Sequence, residues 1–255
     1  MPQAAHSARE RVAALLRDAG TVVALSGAGI SVPSGIPDFR SPGTGMWSDV
    51  DPMEVAHIDA WRRDPARFWA FYDHRFQTLD GKQPNGAHRA LVELERRGRL
   101  AAVVTQNIDR LHRLAGTREL VEVHGTIATS SCLRCGLRRE LAEVRRLIAE
   151  AQDGVPRCED CGEPLKPDVV LFGEWLPVDA IERAQALCAS ADLLLCIGTS
   201  LEVYPVAALP ELTEAAGGDV VLVTKGPTPW DGRATAKLDG DVEEELVALV
   251  EALDA

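Results

Sequence analysis

The sequence predicts an α/β fold, a doubly wound parallel sheet carrying a second, smaller module. Short apolar runs of four or five residues alternate with helix-length amphipathic stretches, the pattern of strands buried on both faces and joined by crossover helices. The alternation breaks near residues 35–85 and 128–168, which marks two insertions that build the smaller module. A glycine-rich turn, Ser26-Gly27-Ala28-Gly29-Ile30-Ser31, follows the first apolar run, at the carboxyl edge where such sheets bind ligands. The chain therefore divides into a sheet domain of residues 1–34, 86–127 and 168–255, a loop and helical module at 35–85, and a cysteine-bearing module at 128–167.

Each element has its own signal. Residues 8–19 read as a helix with Val12, Leu15 and Leu16 on one face, ended by Gly20. Residues 21–25 are the first buried strand. Residues 32–60, rich in Pro, Gly and Asp, read as a long loop with short elements, and a loop of that length is usually functional. Phe68, Phe71, Tyr72, Phe76 and Leu79 recur at three- and four-residue steps and predict a helix over 64–80. A helix at 86–97 closes at Gly98, and strands follow at 100–104 and 120–123. Beyond the cysteines come an extended run at 169–172, a helix at 178–189, strands at 193–197 and 220–223, and a closing helix at 242–253.

Composition narrows the classes of function. The chain has 255 residues, 46% of them hydrophobic, enough for one large domain with a satellite. A net charge of −12 argues against non-specific binding to nucleic acid or to an anionic membrane. The longest apolar stretches, such as Leu193-Leu194-Leu195-Cys196-Ile197, are strand-sized, far short of the roughly 20 residues that span a bilayer. The N-terminus shows no basic region followed by an apolar one, so a cytoplasmic protein is expected.

The cysteines carry the strongest single signal. Cys132-x-x-Cys135 and Cys158-x-x-Cys161 stand 22 residues apart, each pair followed by a glycine. Four thiolates at that spacing make a closed tetrahedral zinc site, structural because no position stays open. Arg134, Arg138, Arg139, Arg145, Arg146 and Arg157 cluster there and read as a solvated face rather than a nucleic-acid surface. Cys188 and Cys196 sit in apolar contexts and read as core. The Gly27-x-Gly29 turn suits close approach to phosphate oxygens, but Val32 replaces the third glycine of the dinucleotide fingerprint. Taken alone it is equally a tight strand-to-helix turn. His124, followed by Gly125, stands at the carboxyl edge of a strand, close to the polar run Thr105-Gln106-Asn107-Ile108-Asp109. His88 and His112 fall in helical stretches and read as packed structural residues. His57 and His74 read as surface or helix-face residues.

Together these motifs amount to a resemblance. Gly27-Ala28-Gly29-Ile30-Ser31, Gly35-Ile36-Pro37-Asp38-Phe39-Arg40, Thr105-Gln106-Asn107-Ile108-Asp109, His124-Gly125, the cysteine pairs, Phe172-Gly173-Glu174 and Gly198-Thr199-Ser200 resemble the sirtuins, the NAD-dependent protein lysine deacylases, in order and over nearly the whole chain. The resemblance implies a Rossmann-like NAD-binding domain, a small domain of helical and zinc-ribbon insertions, and an acylated lysine of a protein substrate bound in the cleft between them. It makes His124 the general base that activates a ribose hydroxyl, with Asn107 beside it in catalysis. It assigns the cofactor to Gly27, Ala28, Gly29, Ile30, Asp38, Phe39, Arg40, Trp47, Gln106, Asn107, Ile108, Asp109, Gly198, Thr199, Ser200, Thr224, Lys225, Gly226, Asp241 and Val242. Val170, Phe172, Gly173, Glu174, Val203 and Tyr204 would clamp the peptide as an added strand. The cofactors implied are NAD and one structural zinc ion held by Cys132, Cys135, Cys158 and Cys161. One position departs from the family: Thr224 stands where an asparagine usually contacts the adenosine ribose.

The acyl group has its own clue. Tyr72 and Arg75, three apart on a helix, share a face. An arginine in an acetyl pocket would be a desolvated cation facing no charge, whereas a succinyl or malonyl carboxylate matches its guanidinium fork. The pair resembles that of the sirtuins that remove acidic acyl groups, with deacetylation retained. The bland alternative is a solvated Arg75 and a core Tyr72. A plain deacetylase, a mono-ADP-ribosyltransferase, an NAD or ADP-ribose sensor and a zinc-ribbon nucleic-acid module remain as rival readings.

Overall fold

The computed structural model describes residues 8–38, 51–79 and 81–253. Its strands are β1 (Val22–Ser26), β2 (Ala102–Thr105), β3 (Leu120–Glu122), β4 (Gly125–Cys132), β5 (Arg138–Glu140), β6 (Leu165–Val169), β7 (Leu193–Ile197), β8 (Asp219–Val223) and β9 (Ala236–Leu238). Its helices are α1 (Ala8–Asp18), α2 (Pro52–Val55), α3 (Ile58–Arg63), α4 (Pro65–Leu79), α5 (Gly86–Arg96), α6 (Leu111–Ala115), α7 (Leu141–Glu150), α8 (Val178–Ala189), α9 (Leu209–Ala215) and α10 (Val242–Ala252).

Six strands form one sheet in the order β3-β2-β1-β7-β8-β9, and every pairing in it is parallel. The apolar runs explain this. Val22–Ser26 and Leu193–Ile197 are buried throughout, as strands covered on both faces must be. Val12, Leu16, Leu91, Leu94, Leu246 and Leu249 of α1, α5 and α10 cover one face. Leu187, Cys188 and Leu209 of α8 and α9 cover the other, together with Trp230. Cys188 and Cys196 are both packing residues of the sheet core, and burial pushes the Cys188 thiol up to about 12. The strand order reverses between β1 and β7, so a crevice opens at their carboxyl ends.

The smaller module is a three-stranded antiparallel sheet, β5-β4-β6, packed against α3, α4 and α7. Trp61 and Trp69 both donate their indole N–H to the Leu165 carbonyl, at 3.2 and 2.9 Å, and so tie the helical insertion to this sheet. The long-loop region contains, among its described residues, a 3-10 turn at Ala28–Ser34 and the short helices α2 and α3. The extended run expected at 169–172 is displaced: the paired strand is β6, which ends at Val169. Residues beyond it form a separate parallel bridge between Phe172 and His57. An apolar run marks where burial is deepest, not where pairing begins, so the strand opens earlier at Leu165. The edge strand β9 and helices α6 and α9 are too short to show a period.

Candidate active site

The crevice is lined first by backbone. Gly27 N donates to the Ile197 carbonyl at 2.9 Å and Gly29 N to the Gly198 carbonyl at 2.8 Å, which draws the turns after β1 and β7 together. A Cβ on Gly29 would lie 2.7 Å from Gly198 Cα, so only glycine permits the approach. The turn continues as a 3-10 helix rather than the α-helix of a standard dinucleotide fold. Ala28 and Ser200 lie on this rim, whereas Ile30 is fully buried in the sheet core. Thr199 accepts a hydrogen bond on its hydroxyl from Gln106 Nε2 at 2.9 Å, joining the turn after β7 to that after β2.

The polar run 105–109 forms the opposite wall. Asn107 is 6% exposed and donates from Nδ2 to the Gly27 carbonyl at 3.1 Å and to Ser31 Oγ at 3.2 Å. Its Oδ1 is a buried acceptor with no hydrogen-bond partner among the described residues, an orphan that fits a donor-bearing ligand. Ser31 Oγ in turn donates to Asp109 Oδ2 at 2.6 Å, and Asp109 Oδ1 accepts from Leu111 N at 2.9 Å. Burial raises the Asp109 pKa while these two donors oppose the rise. Ile108 packs with the small-module core, and its carbonyl receives Ile127 N at 3.2 Å.

His124 is held at two points. Its Nδ1 lies 3.0 Å from the Gln106 carbonyl, which can only accept, so Nδ1 carries the proton and Nε2 is an acceptor with no hydrogen-bond partner among the described residues. Its own carbonyl receives Val170 N at 2.8 Å. Burial pulls the His124 pKa below 6.5, and the Gln106 hydrogen bond works against that pull. The imidazole is therefore neutral at neutral pH with one basic nitrogen available.

The segment 170–174 is pinned beside it. Phe172 N donates to Ala56 O at 2.9 Å and Ile58 N to Phe172 O at 3.0 Å. Lys166, 6% exposed, donates to the Pro167 and Val169 carbonyls at 3.0 and 2.8 Å and pairs with Glu174 Oε2 at 2.9 Å. That carboxylate oxygen also caps Leu171 N at 2.9 Å, so the Phe172-Gly173-Glu174 turn is set from beneath. Phe172 and Tyr204 are exposed, and Val203 is half-buried.

The four cysteine sulfurs lie within 4.8 Å of one another. Cys132 to Cys161 and Cys135 to Cys158 are each 3.4 Å, and Cys135 to Cys161 is 3.8 Å. Sulfurs each about 2.3 Å from a central ion stand roughly 3.8 Å apart, so the cluster fits zinc and is too open for disulfides of about 2.05 Å. Arg134, Arg138, Arg139, Arg146 and Arg157 around it each pair with a carboxylate, an ion-paired face rather than a bare basic one.

The remaining expected positions are scattered or differently occupied. Thr224 is 8% exposed at the end of β8, and Lys225 Nζ lies 3.4 Å from Asp241. Gly226 N donates to Asp239 at 3.1 Å. Asp241 caps α10 by accepting from Glu243 N and Glu244 N, and Val242 packs in the sheet core, so both have structural work of their own. Asp38 is half-buried at the edge of the described segment. Phe39, Arg40 and Trp47 lie outside the described residues. Tyr72, 5% exposed, stacks on Phe68 at 4.3 Å and meets Phe71 and Phe76 edge-on. Arg75 follows one turn later on α4, and its side chain lies outside the described residues.

Sequence reasoning missed several contributors. Ser26 and Thr105 are strand-end hydroxyls in direct register, reachable only by noticing that two apolar strands each close on a polar residue. Lys166 is a buried lysine that nothing in the sequence distinguishes from a solvated one. His57 caps α3 by accepting from Asp59 N at 3.0 Å and bridges to Phe172, closer to the site than a surface histidine.

Known proteins share this fold. Residues 27–205 match the Sir2 family. An NAD-dependent protein deacetylase of Caldivirga maquilingensis is 42% identical over 92% of this chain and 90% of its own length. An NAD-dependent protein deacylase of Pyrococcus abyssi is 44% identical over 83% of this chain and 84% of its own length. Among solved structures, a Sir2 complex with p53 peptide and NAD+ superposes with a TM-score of 0.88 at 39% identity, covering 94% of this chain and 96% of that one. A Sir2 protein bound to a propionylated peptide gives 0.87 at 38% identity, covering 95% and 97%. The chain belongs to the Sir2 family, the sirtuins.

Proposed function

We propose that this protein is an NAD-dependent protein lysine deacylase that removes succinyl and malonyl groups, and acetyl groups as well. The observation that carries the deacylase reading is His124, whose Nδ1 is engaged by the Gln106 carbonyl so that Nε2 is the basic nitrogen, and whose own carbonyl holds the segment 170–174 through Val170 N. NAD, when bound, would supply the ribose that releases nicotinamide and takes the acyl group, with one water consumed, so that the products would be free lysine, nicotinamide and 2′-O-acyl-ADP-ribose. Ala28 N–H and the hydroxyls of Thr199 and Ser200 would hold phosphates and ribose, while Gly27 and Gly29, whose N–H groups bond Ile197 and Gly198, shape the turn that the cofactor approaches. Asn107 and Asp109 line the nicotinamide end, where the bare Oδ1 of Asn107 is an acceptor for a carboxamide N–H. His124 takes a ribose hydroxyl proton on Nε2 while Gln106 keeps the ring oriented. Val170 to Glu174 and Val203–Tyr204 flank the peptide backbone. Residues 1–34, 86–127 and 168–255 form the NAD-binding domain of this reading, with 35–85 and 128–167 as its smaller partner.

The acidic-acyl preference rests on Tyr72 and Arg75, one turn apart on α4, and on the match of a guanidinium fork to a carboxylate. Plain deacetylation is the second reading, favoured by the burial of Tyr72 among Phe68, Phe71 and Phe76. Matched acetyl- and succinyl-lysine peptides, incubated with and without NAD and followed by mass spectrometry, separate the two. Succinate loss that needs NAD and outpaces acetate loss is the expected result. Arg75→Met should then reduce desuccinylation at least tenfold, about the worth of one charge-assisted pair, while sparing acetyl-lysine. Equal losses on both substrates would remove Arg75 from the acyl pocket. Absence of any acyl loss would remove the deacylase reading itself.

A further inference from the structure

Beneath Asn107 lies a pair of histidines that none of these roles uses. His88 and His112 are 0% and 2% exposed, and their rings meet edge-on with centroids 4.8 Å apart. Two lone histidines this deep are neutral, because burial depresses both. Their surroundings fix where each proton sits. Asn85 Oδ1 lies 3.0 Å from His88 Nδ1, and an amide oxygen only accepts, so His88 carries its proton on Nδ1. His112 Nε2 lies 2.9 Å from Ser26 Oγ, while His112 Nδ1 has no hydrogen-bond partner among the described residues. A buried N–H with nothing to bond is rarer and costlier than a bare lone pair. The His112 proton is therefore on Nε2, aimed at Ser26.

From there the hydrogen bonds converge on Thr105. Ser26 Oγ donates to Thr105 Oγ1 at 2.8 Å, across the in-register pairing of β1 and β2. Thr105 Oγ1 also accepts the backbone N–H of Asn107 at 3.1 Å. Asn107 Nδ2 donates to Ser31 Oγ at 3.2 Å, and Ser31 Oγ to Asp109 at 2.6 Å. A second route reaches the same carboxylate, since Asp109 Oδ1 caps Leu111 N at 2.9 Å and His112 is the next residue of α6. Every link is at least half-buried, where hydrogen bonds are stronger and misalignment is costlier than in water.

We propose that His112 is a positioning residue for the nicotinamide pocket: its Nε2–H, through Ser26 and Thr105, sets the orientation of Asn107 and Asp109. The inference rests on the NAD-dependent reading above. It distinguishes His112 from an ordinary core residue, because the donor matters and not only the volume. His112→Phe keeps a ring and removes the donor; His112→Gln returns an N–H at the reach of Nε2; His112→Asn places it at the reach of Nδ1, away from Ser26.

The test is calorimetry of the full-length protein with two probes. One is carbocyclic NAD, which keeps its nicotinamide, added with an acetyl-lysine peptide. The other is ADP-ribose, which lacks the nicotinamide. His112→Phe and His112→Asn should weaken carbocyclic NAD by about tenfold, leave ADP-ribose within about twofold, and His112→Gln should recover to within about threefold of wild type. Equal weakening of both probes, or no weakening, would overturn the positioning role while leaving the NAD reading intact. Wild-type protein that binds neither probe would overturn both. A long-range 1H–15N spectrum of the wild type needs no variant: the Nε2–H tautomer is expected at His112, and an Nδ1–H tautomer there would overturn the proposal.

Discussion

The Gln106 carbonyl decides which nitrogen of His124 is free, and that one contact sets the chemistry open to the residue. A histidine with Nδ1–H fixed and Nε2 bare is a proton acceptor, and burial keeps it neutral below its ordinary pKa. The base function proposed for it should therefore persist into mildly acidic solution and be lost only as pH falls through that lowered pKa. Strain is also concentrated here. Arg110, directly after Asp109, has φ 71° and ψ 2°, a left-handed backbone that side-chain-bearing residues adopt at a cost of about 1–2 kcal/mol. Arg110→Gly relieves the strain but gains freedom in the unfolded chain. The expected net effect is a Tm about 1–4 °C higher, read by thermal unfolding. A lower Tm would mean that the Arg110 side chain contributes more than its backbone costs.

Two strands explain why a zinc cluster belongs to this fold. β4 begins at Gly125, next to His124, and ends at the ligand Cys132. β6 returns from beside the cluster and ends at Val169, next to the segment 170–174. At Gly125, φ is 74°, and a Cβ would clash with the Asp168 carbonyl oxygen, so glycine alone lets the two strands close where His124 and the segment 170–174 meet. The cluster thus clamps the far end of a ribbon whose near end carries the site. Cys132→Ser should lower zinc from about one to near zero per chain, and deacylation should fall at least tenfold with it. Atomic absorption read beside the peptide assay checks this, and full activity without zinc would separate cluster from site. This ribbon was only half legible in the sequence. The paired cysteines announce zinc through their spacing alone. β4, by contrast, reads Gly-Thr-Ile-Ala-Thr-Ser-Ser-Cys, with too little apolar alternation to declare a strand. Its partner β5 is three charged residues. The parallel strands were legible because burial on both faces demands unbroken apolar runs. α6 was not, because five residues hold little more than one helical turn.

At the scale of the whole molecule, one sheet edge gathers everything: the turns after β1, β2 and β7, His124 just past β3, and the small module above them. Motif order located that edge, but it could not reveal the hydroxyl and imidazole groups below it, since Ser26, Thr105, His88 and His112 meet only after the strands align. These buried groups leave a mark on stability. His88 and His112 titrate near about 4 and about 3 in the fold, against 6.5 when unfolded. As pH falls below 6.5 the unfolded chain takes up protons that the folded chain refuses, so stability drops until the folded values are reached. Urea titrations should show a loss of about 3 kcal/mol between about pH 6.5 and 5, at up to about 1.4 kcal/mol per pH unit for each histidine. Constant stability over that interval would mean that the pair is not held neutral. No helix among the described residues is long and apolar enough to cross a membrane. The measurement that bears most directly on the function is acyl removal by wild type and His124→Ala in parallel, with and without NAD, followed by mass spectrometry and paired with zinc content. NAD-dependent acyl loss by the wild type, reduced at least a hundredfold in His124→Ala with zinc still at about one per chain, is the expected result. Undiminished turnover by His124→Ala would contradict it.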